Sequence, residues 1–544
     1  MISTNYRPIS LTSCLCKVME RMINKRLVWS LESKSIVDFR PSSFRRYRST
    51  ADNLTTLESS IQQAFAAREH SVCIFFDLEK AYDMTWRHLI MKDLSSNGIR
   101  GNMLAFIDNF LNSRTFKVSL GNIYSSIYPQ ENGIPQGSVL SVTLFLVALN
   151  SIKSCFTAPI THLLFADDLV VFLRGKSILE IQNTMQHSLD KIATWCEQTG
   201  FKISISKTKS IHFCRMTSCA TDPELYFNEQ KLEFVETYKF LGMTFDKKLS
   251  WERHIRQLKT KTFSSIRVLR TLSNTRWGCN RELLLRIHKT LVLSKIDYGC
   301  MLYSRVRKTL LNSVHHQGVR LATGAFRTSP VNSLLTEAGI IPLEFRRDQQ
   351  IMTYGLKTLS ILDHPLHKIS LNQHPLQKPS KSYLVLFNDT LRQYNLNSLT
   401  IQKRFFHHFP PWSGKSIEID FSLTSHPKLS TNSIIYASEF NRTCEKYKNH
   451  HFIYTDGSKI NQLVGFAIYS KHYHFKRSLP NACSVFTAEL IAIEEAIKYI
   501  EYHDSFLFLI VSDSLSALKS IDNLYSDNPI IQRIHDKLNC FQFG

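Results

Sequence analysis

No stretch of about 18 uninterrupted apolar residues occurs in the 544-residue sequence, so it offers no candidate for a membrane-spanning helix. The opening Met1-Ile2-Ser3-Thr4-Asn5-Tyr6-Arg7 has no apolar signal core, which argues against secretion. Zinc-finger spacing is missing too. Twelve cysteines are scattered along the chain, and the close pairs Cys14/Cys16 and Cys214/Cys219 lack second pairs at ligand spacing, so they read as reduced core thiols. Acidic charge is in short supply: 45 Asp and Glu stand against 67 Lys and Arg, a net charge of +22. That balance favours a polyanionic partner, nucleic acid first, although a merely solubilising basic surface stays open on charge alone. With 43% hydrophobic and 21% charged residues the composition is that of a folded protein. Its length suggests about three or four domains.

Ile9, Leu11, Val18, Met19, Met22, Ile23, Leu27 and Leu31 recur at three- and four-residue steps and predict a helix over residues 7–36. A basic segment follows, Phe39-Arg40-Pro41-Ser42-Ser43-Phe44-Arg45-Arg46-Tyr47-Arg48-Ser49-Thr50, in which arginines beside aromatics suit phosphate and base contacts. A solvated loop is the competing reading. The apolar run Ser71–Phe76 predicts a strand ended by Asp77. Leu163-Leu164-Phe165 and Leu169–Phe172 flank Ala166-Asp167-Asp168, predicting a hairpin whose tight turn presents two carboxylates. Helical periodicity lies between, at Met103–Leu111 and Leu140–Leu149, so an α+β sheet with helices on one face is expected.

Residues 247–276 hold nine Lys or Arg and one acid, Glu252, with Ile255, Leu258, Phe263, Ile266 and Leu269 as an apolar stripe: a helix with a basic outer face. A second helix is expected over Glu282–Leu293. From about residue 360 to 430 the chain turns irregular, with Pro365, Pro375, Pro379, Pro410 and Pro411, and predicts a connecting region. A new strand pattern begins at His451.

Phosphoryl transfer needs divalent ions that clamp the attacking and leaving oxygens, and carboxylates are the natural ligands for hard Mg²⁺. A lone Asp-Asp pair is more often a turn or helix cap. Here Phe75-Phe76-Asp77-Leu78-Glu79-Lys80-Ala81-Tyr82-Asp83, then Gly133-Ile134-Pro135-Gln136-Gly137-Ser138, then Phe165-Ala166-Asp167-Asp168 follow one another. This order resembles the palm of reverse transcriptases from non-LTR (LINE-type) retrotransposons of the jockey/I type, and the resemblance can be followed from residue 5 to about 345.

The resemblance implies a right-hand polymerase of fingers, palm and thumb. It implies RNA-directed DNA polymerase activity, with Asp77, Asp167 and Asp168 holding two Mg²⁺, Mn²⁺ being the alternative ion. Tyr82 takes the position that blocks a ribose 2′-OH, against the reading as a plain core tyrosine. Gln136 and Gly137 match a loop lying against template and incoming nucleotide, against a plain turn before a helix. Lys207 matches the lysine near the triphosphate, against a solvated lysine. Arg45 and Arg48 match the basic fingers segment, Asn5–Leu11 its opening, and Tyr238-Lys239-Phe240-Leu241-Gly242 the element gripping the primer end, with Phe240, Leu241 and Gly242 at its tip. Four departures stand out. Ser43 replaces a glycine, Val139 and Val142 replace prolines, and Ser204 replaces an asparagine. None removes a metal ligand, but lost proline loosens a loop and lost glycine strains a turn, so reduced activity is expected.

Near the other end, Phe452–Asp456 is a strand ending in an acid, Thr487-Ala488-Glu489 opens an amphipathic helix, and Leu507–Val511 leads into Ser512-Asp513. This resembles an RNase H domain and implies Asp456, Glu489 and Asp513 as its first three metal-binding acids. The final loop and fourth acid of that family are not visible in the 31 residues after Asp513. A truncated domain with weak or no hybrid cleavage is expected, and no endonuclease precedes the fingers. The expected division is residues 1–246 fingers and palm, 247–345 thumb, 346–447 connecting region and 448–544 RNase H-like. Expected partners are an RNA template, a DNA primer, RNA–DNA hybrid and dNTPs, without a membrane, at an intracellular and nuclear location. The rival expectation is a non-catalytic, nucleic-acid-binding remnant of a transposable element.

Overall fold

The computed structural model describes residues 9–34, 36, 43, 45, 47–216, 221–274, 276–304, 306, 308–362, 364, 366–367, 382–396, 400–404, 410, 412, 418–425, 431–503 and 507–540. The motif Asn5–Pro8, the basic residues Arg40 and Arg46, Cys219, and Pro365, Pro375, Pro379 and Pro411 lie outside the described residues. The chain divides into two compact units, Met1–Leu359 with Asp363–Ile401, and Ser360–Leu362 with Gln402–Gly544.

The first unit is organised around a five-stranded sheet. Its strands are β1 (His70–Asp77), β2 (Thr161–Phe165), β3 (Asp168–Gly175), β4 (Lys209–Phe213) and β5 (Glu233–Phe234), in the order β5-β4-β1-β3-β2. Only β5 runs parallel to its neighbour. Central β1 is buried along its length up to Asp77. Helices cover both of its faces, not one as the sequence suggests. On one face Cys73 and Phe75 pack with Leu54, Leu57 and Ile61 of the helix Thr50–Ala67; on the other, Val72, Ile74 and Phe76 pack with Leu140, Leu144 and Phe145. The unbroken apolar run Val72–Phe76 is the physical reason, because a strand covered on one side alternates polar with apolar residues.

Helix α1 (Cys14–Ser33) corrects a second expectation. Leu27 and Leu31 are buried, whereas Val18, Met19 and Met22 from the same periodic stripe are more than half exposed. In their place the turn buries Glu20. Helix α2 (Thr50–Ala67) starts with a capping box in which Ser49 and Asp52 satisfy each other's backbone N–H groups. Helices α3 (Arg87–Ser96), α4 (Gly101–Leu111), α5 (Val139–Leu149) and α6 (Ile178–Thr199) complete the layer containing Phe76.

A hairpin of β6 (Thr237–Phe240) and β7 (Met243–Asp246) leads to α7 (Glu252–Leu272). The basic outer face of α7 is present, with Arg253, Arg256, Lys261, Arg267 and Arg270 exposed while Ile255, Leu258, Ile266 and Leu269 are buried. Phe263 lies outside this core, with the Arg267 guanidinium 5.7 Å from its ring centre. Counting from Leu258, five residues turn a helix well past its inner face. The stretch expected as one helix is α8 (Arg281–His288), running on through a π-helical turn, Lys289–Leu293.

In the second unit, β8 (His451–Ile460), β9 (Leu463–Ser470), β10 (Tyr473–Leu479) and β11 (Phe508–Ser512) form a sheet of order β10-β9-β8-β11, with β11 parallel to β8. Burial alternates along β8, so one face is covered. Helix α9 (Val485–Glu501) covers it, because Ala488, Ala492 and Ala496 at four-residue spacing let its backbone approach Ile453, Phe466 and Ile468. Among the described residues no helix is long and apolar enough to cross a membrane.

Candidate active site

Antiparallel pairing sets Asp77, the last residue of β1, directly opposite Asp168, the first residue of β3. Residues opposed in this way project to the same face of a sheet. Phe165 and Asp168 also pair, leaving Ala166-Asp167 as a two-residue turn. Ala166 has φ +54°, the left-handed region that a residue with a Cβ seldom occupies. Its N–H donates to the Ser43 hydroxyl at 2.7 Å, and Ser43 is fully buried. Ser43 itself is not among the described residues with positive φ, so the turn strain expected from loss of glycine does not arise there.

The Asp77 backbone is held by the segment before β4: the Ser204 N–H donates to the Asp77 carbonyl at 2.9 Å, and the Glu79 N–H to the Lys202 carbonyl at 2.8 Å. Lys207, largely exposed, brings its ammonium to 3.3 Å from Asp77 Oδ2. Two aromatic hydroxyls register the acids' charge. Burial, then the Asp167 carboxylate, pushes Tyr82 up to about 12, while its ring stacks on Phe145 with centroids 4.5 Å apart. Burial, then Asp168 and Asp77, raises Tyr238, which stacks on Phe75 at 4.6 Å.

Gln136 and Gly137 form the edge of this region. The Ser10 N–H donates to the Gln136 carbonyl at 2.7 Å, and a Cβ on Gly137, whose φ is +124°, would lie 2.6 Å from the Ser10 carbonyl oxygen. Only glycine fits there. The Glu20 carboxylate caps the next helix, accepting from the Ser138 hydroxyl, the Val139 N–H at 2.7 Å and the Leu140 N–H at 3.3 Å. Proline at 139 would have no N–H to give, so this valine is tied where a looser loop is expected. Sequence reasoning misses Glu20, whose only signal is a lone acid on an apolar-periodic helix.

The other expected residues are placed as follows. Arg45 donates to the Glu32 carboxylate from two nitrogens, with both side chains under a tenth exposed. The charge of Arg48 acts on His364. Phe240 is in the core, and Leu241-Gly242 make the β6–β7 turn at φ +43° and +82°. The Tyr298 hydroxyl donates to the Leu241 carbonyl at 2.6 Å.

In the second unit Asp456, Glu489 and Asp513 each bring one carboxylate oxygen within 4.8 Å of the others. Glu489 is buried, and its Oε2 lacks a hydrogen-bond partner. Burial, then the charges of Asp513 and Asp456, raises its pKa against the opposing hydrogen bond from Gly457. Hard oxygen donors, one of them an orphaned buried atom, fit a divalent cation. A Cβ on Gly457 would sit 2.6 Å from the Glu489 nitrogen, so glycine lets β8 pass the first turn of α9.

Residues 3–245 match the family profile described as reverse transcriptase (RNA-dependent DNA polymerase). The chain is 30% identical over 324 residues to the RNA-directed DNA polymerase from mobile element jockey of Drosophila melanogaster, covering 57% of this chain and 34% of that protein. It is 24% identical over 328 residues to the probable RNA-directed DNA polymerase from transposon X-element of the same fly, covering 59% and 36%. The chain thus spans about a third of the length of these curated relatives. A structure of apo telomerase from Candida tropicalis aligns with 71% of this chain and 59% of that one, at 11% identity and a TM-score of 0.34.

Proposed function

We propose, on the premise that residues 3–245 form a reverse transcriptase domain of the jockey type of non-LTR retrotransposon, that this chain is an RNA-directed DNA polymerase extending a primer 3′-OH with dNTPs. The observation that carries the reading is the register of Asp77 against Asp168 with Asp167 in the intervening turn, three carboxylates brought from 90 residues apart to one end of a sheet. Asp77, Asp167 and Asp168 would hold two Mg²⁺, which when bound lower the pKa of the attacking hydroxyl and neutralise charge on the phosphates.

The remaining steps belong to side chains. Lys207, exposed and beside Asp77, is placed to meet the triphosphate with a mobile ammonium. The Tyr82 ring, fixed by its stack on Phe145, stands beside Asp167 where the sugar of an incoming nucleotide would lie and so disfavours a 2′-OH. Gly137 offers backbone without a side chain to the template and nucleotide. The β6–β7 turn positions the primer end, and the exposed arginines and lysines of α7 follow the phosphate backbone, so binding falls steeply with salt. In the second unit the carboxylates of Asp456, Glu489 and Asp513 form a separate divalent-cation site of RNase H type. An intracellular, nuclear location belongs to the same proposal, because a copy made at a chromosomal target requires access to the nucleus.

Primer extension on an RNA template in Mg²⁺ tests this: the parent extends, and Asp167→Ala reduces extension by at least about 10³-fold, as expected for loss of a shared metal ligand. Equal extension by both overturns it.

A further inference from the structure

At the opposite end of β1 from Asp77, the pairing that sets Val72 against His212 carries His70 alongside Cys214, so three potential ligands lie on one face of the sheet. All three are buried, at 7%, 1% and 3% exposure for His70, His212 and Cys214. One ligand atom from each lies within 4.8 Å of the other two. His70 Nδ1 and His212 Nε2 are 2.9 Å apart, and His212 Nδ1 is 3.0 Å from Asp222 Oδ1. The two rings and the thiol are packed in the interior, and the Asp222 carboxylate reaches them from the surface.

We propose that His70, His212 and Cys214 form a structural zinc(II) site, with Asp222 as the carboxylate that orients His212. Two imidazoles and a thiolate are a donor set that suits zinc and not the hard ions proposed at the aspartates. Zinc bonds of about 2.0–2.3 Å place tetrahedral ligand atoms roughly 3.3–3.8 Å apart, so the two ring nitrogens, now 2.9 Å apart, need to part by about 0.4 Å while the Cys214 sulfur, within 4.8 Å of both rings, closes by no more than about 1.5 Å. The Asp222 contact fixes the His212 proton on Nδ1 and leaves the Nε2 lone pair toward His70, the arrangement in which an outer carboxylate supports a zinc-bound histidine. On binding, Cys214 releases its thiol proton to solvent and His70 keeps its one ring proton on Nε2, so one proton leaves per ion. His70 is seven residues from Asp77, about 23 Å along an extended strand, so the site braces β1 against β4 and takes no part in nucleotide chemistry. A metal-free hydrogen-bond relay from Asp222 through His212 to His70 is the alternative, and it gives Cys214 no role.

Cobalt(II), titrated into the reduced full chain after chelator treatment, reads the site directly. The parent is expected to take up one ion with a thiolate-to-cobalt charge-transfer band, which equimolar zinc abolishes by displacement. Cys214→Ser should remove the band, Asp222→Asn should weaken affinity about 10–100-fold with the fold retained by circular dichroism, and Cys196→Ser should change neither. A folded parent with no thiolate band overturns the proposal, and so does a band that survives Cys214→Ser. Should that variant fail to fold, the parent band and the Asp222→Asn shift decide in the same two directions. Primer extension is not the readout, so failure here leaves the polymerase reading untouched.

Discussion

The Glu20 carboxylate of α1 accepts a hydrogen bond from the Ser138 hydroxyl, 118 residues further along the chain, and with the Val139 N–H it fixes the start of α5. Glu20→Ala leaves buried donors unpaired, and each such loss costs about 1–3 kcal/mol. Urea unfolding should show destabilisation of about 2–4 kcal/mol. Steady-state extension should show the KM for dNTP rising more than kcat falls, because the Gln136–Gly137 edge shifts while the aspartates stay. Unchanged stability and KM would refute the capping role.

Ser43 supplies the hydroxyl that accepts from Ala166 in the left-handed turn before Asp167. Ser43→Ala removes one buried hydrogen bond, worth about 1–3 kcal/mol when its partner is left unmet. The expected result is a lower extension rate with little change in primer–template affinity. Ser43→Gly should be no better than Ser43→Ala, since it also lacks the hydroxyl. A glycine variant faster than the parent would show that the turn does not depend on this bond.

Glu58 of α2 is fully buried, and burial pushes its carboxyl up to about 8, although the Tyr383 N–H at 3.2 Å and the Gln62 side chain oppose the shift. The folded chain therefore holds a proton that the unfolded chain releases near the usual 4.5. Stability on this account falls as pH rises from about 4.5 to about 8 and is level above. Glu58→Gln should flatten that slope, leaving stability near pH 5 about unchanged and raising it near pH 9. Denaturant melts at the two pH values check the sign.

Glu489 is raised by burial and by its acidic neighbours, so without a divalent ion its charged form destabilises the second unit as pH rises through its folded pKa. Mn²⁺ or Mg²⁺ should offset this by binding the charged form. Thermal melts at neutral pH should show a midpoint that rises with either ion in the parent. In Glu489→Gln the midpoint should be higher without ion and respond little to it.

Elements whose residues follow one period were legible in the sequence. The hairpin around Asp167-Asp168, the strand ending at Asp77 and the basic face of α7 are where pattern placed them, because strand burial and helix amphipathicity each leave a repeat. The reverse transcriptase resemblance, followed from residue 5 to about 345, is matched by the family profile over residues 3–245 and by the jockey polymerase over 324 residues. What escaped was set by tertiary demand. Glu20 is buried because a distant helix start needs an acceptor, and the exposed Val18, Met19 and Met22 show that periodicity finds a stripe without saying which side is covered. Ser43 looked like a defect because its partner, the Ala166 N–H, is 123 residues away.

Tyr298 touches three places at once: its hydroxyl reaches the Leu241 carbonyl and Thr50 Oγ1, and its ring lies where a Cβ on Gly242 would come within 3.1 Å. A side chain following the π-helical turn is thereby pinned to the hairpin turn and to the first residue of α2. Rotation of the helices after α7 cannot leave that turn behind without breaking the pin.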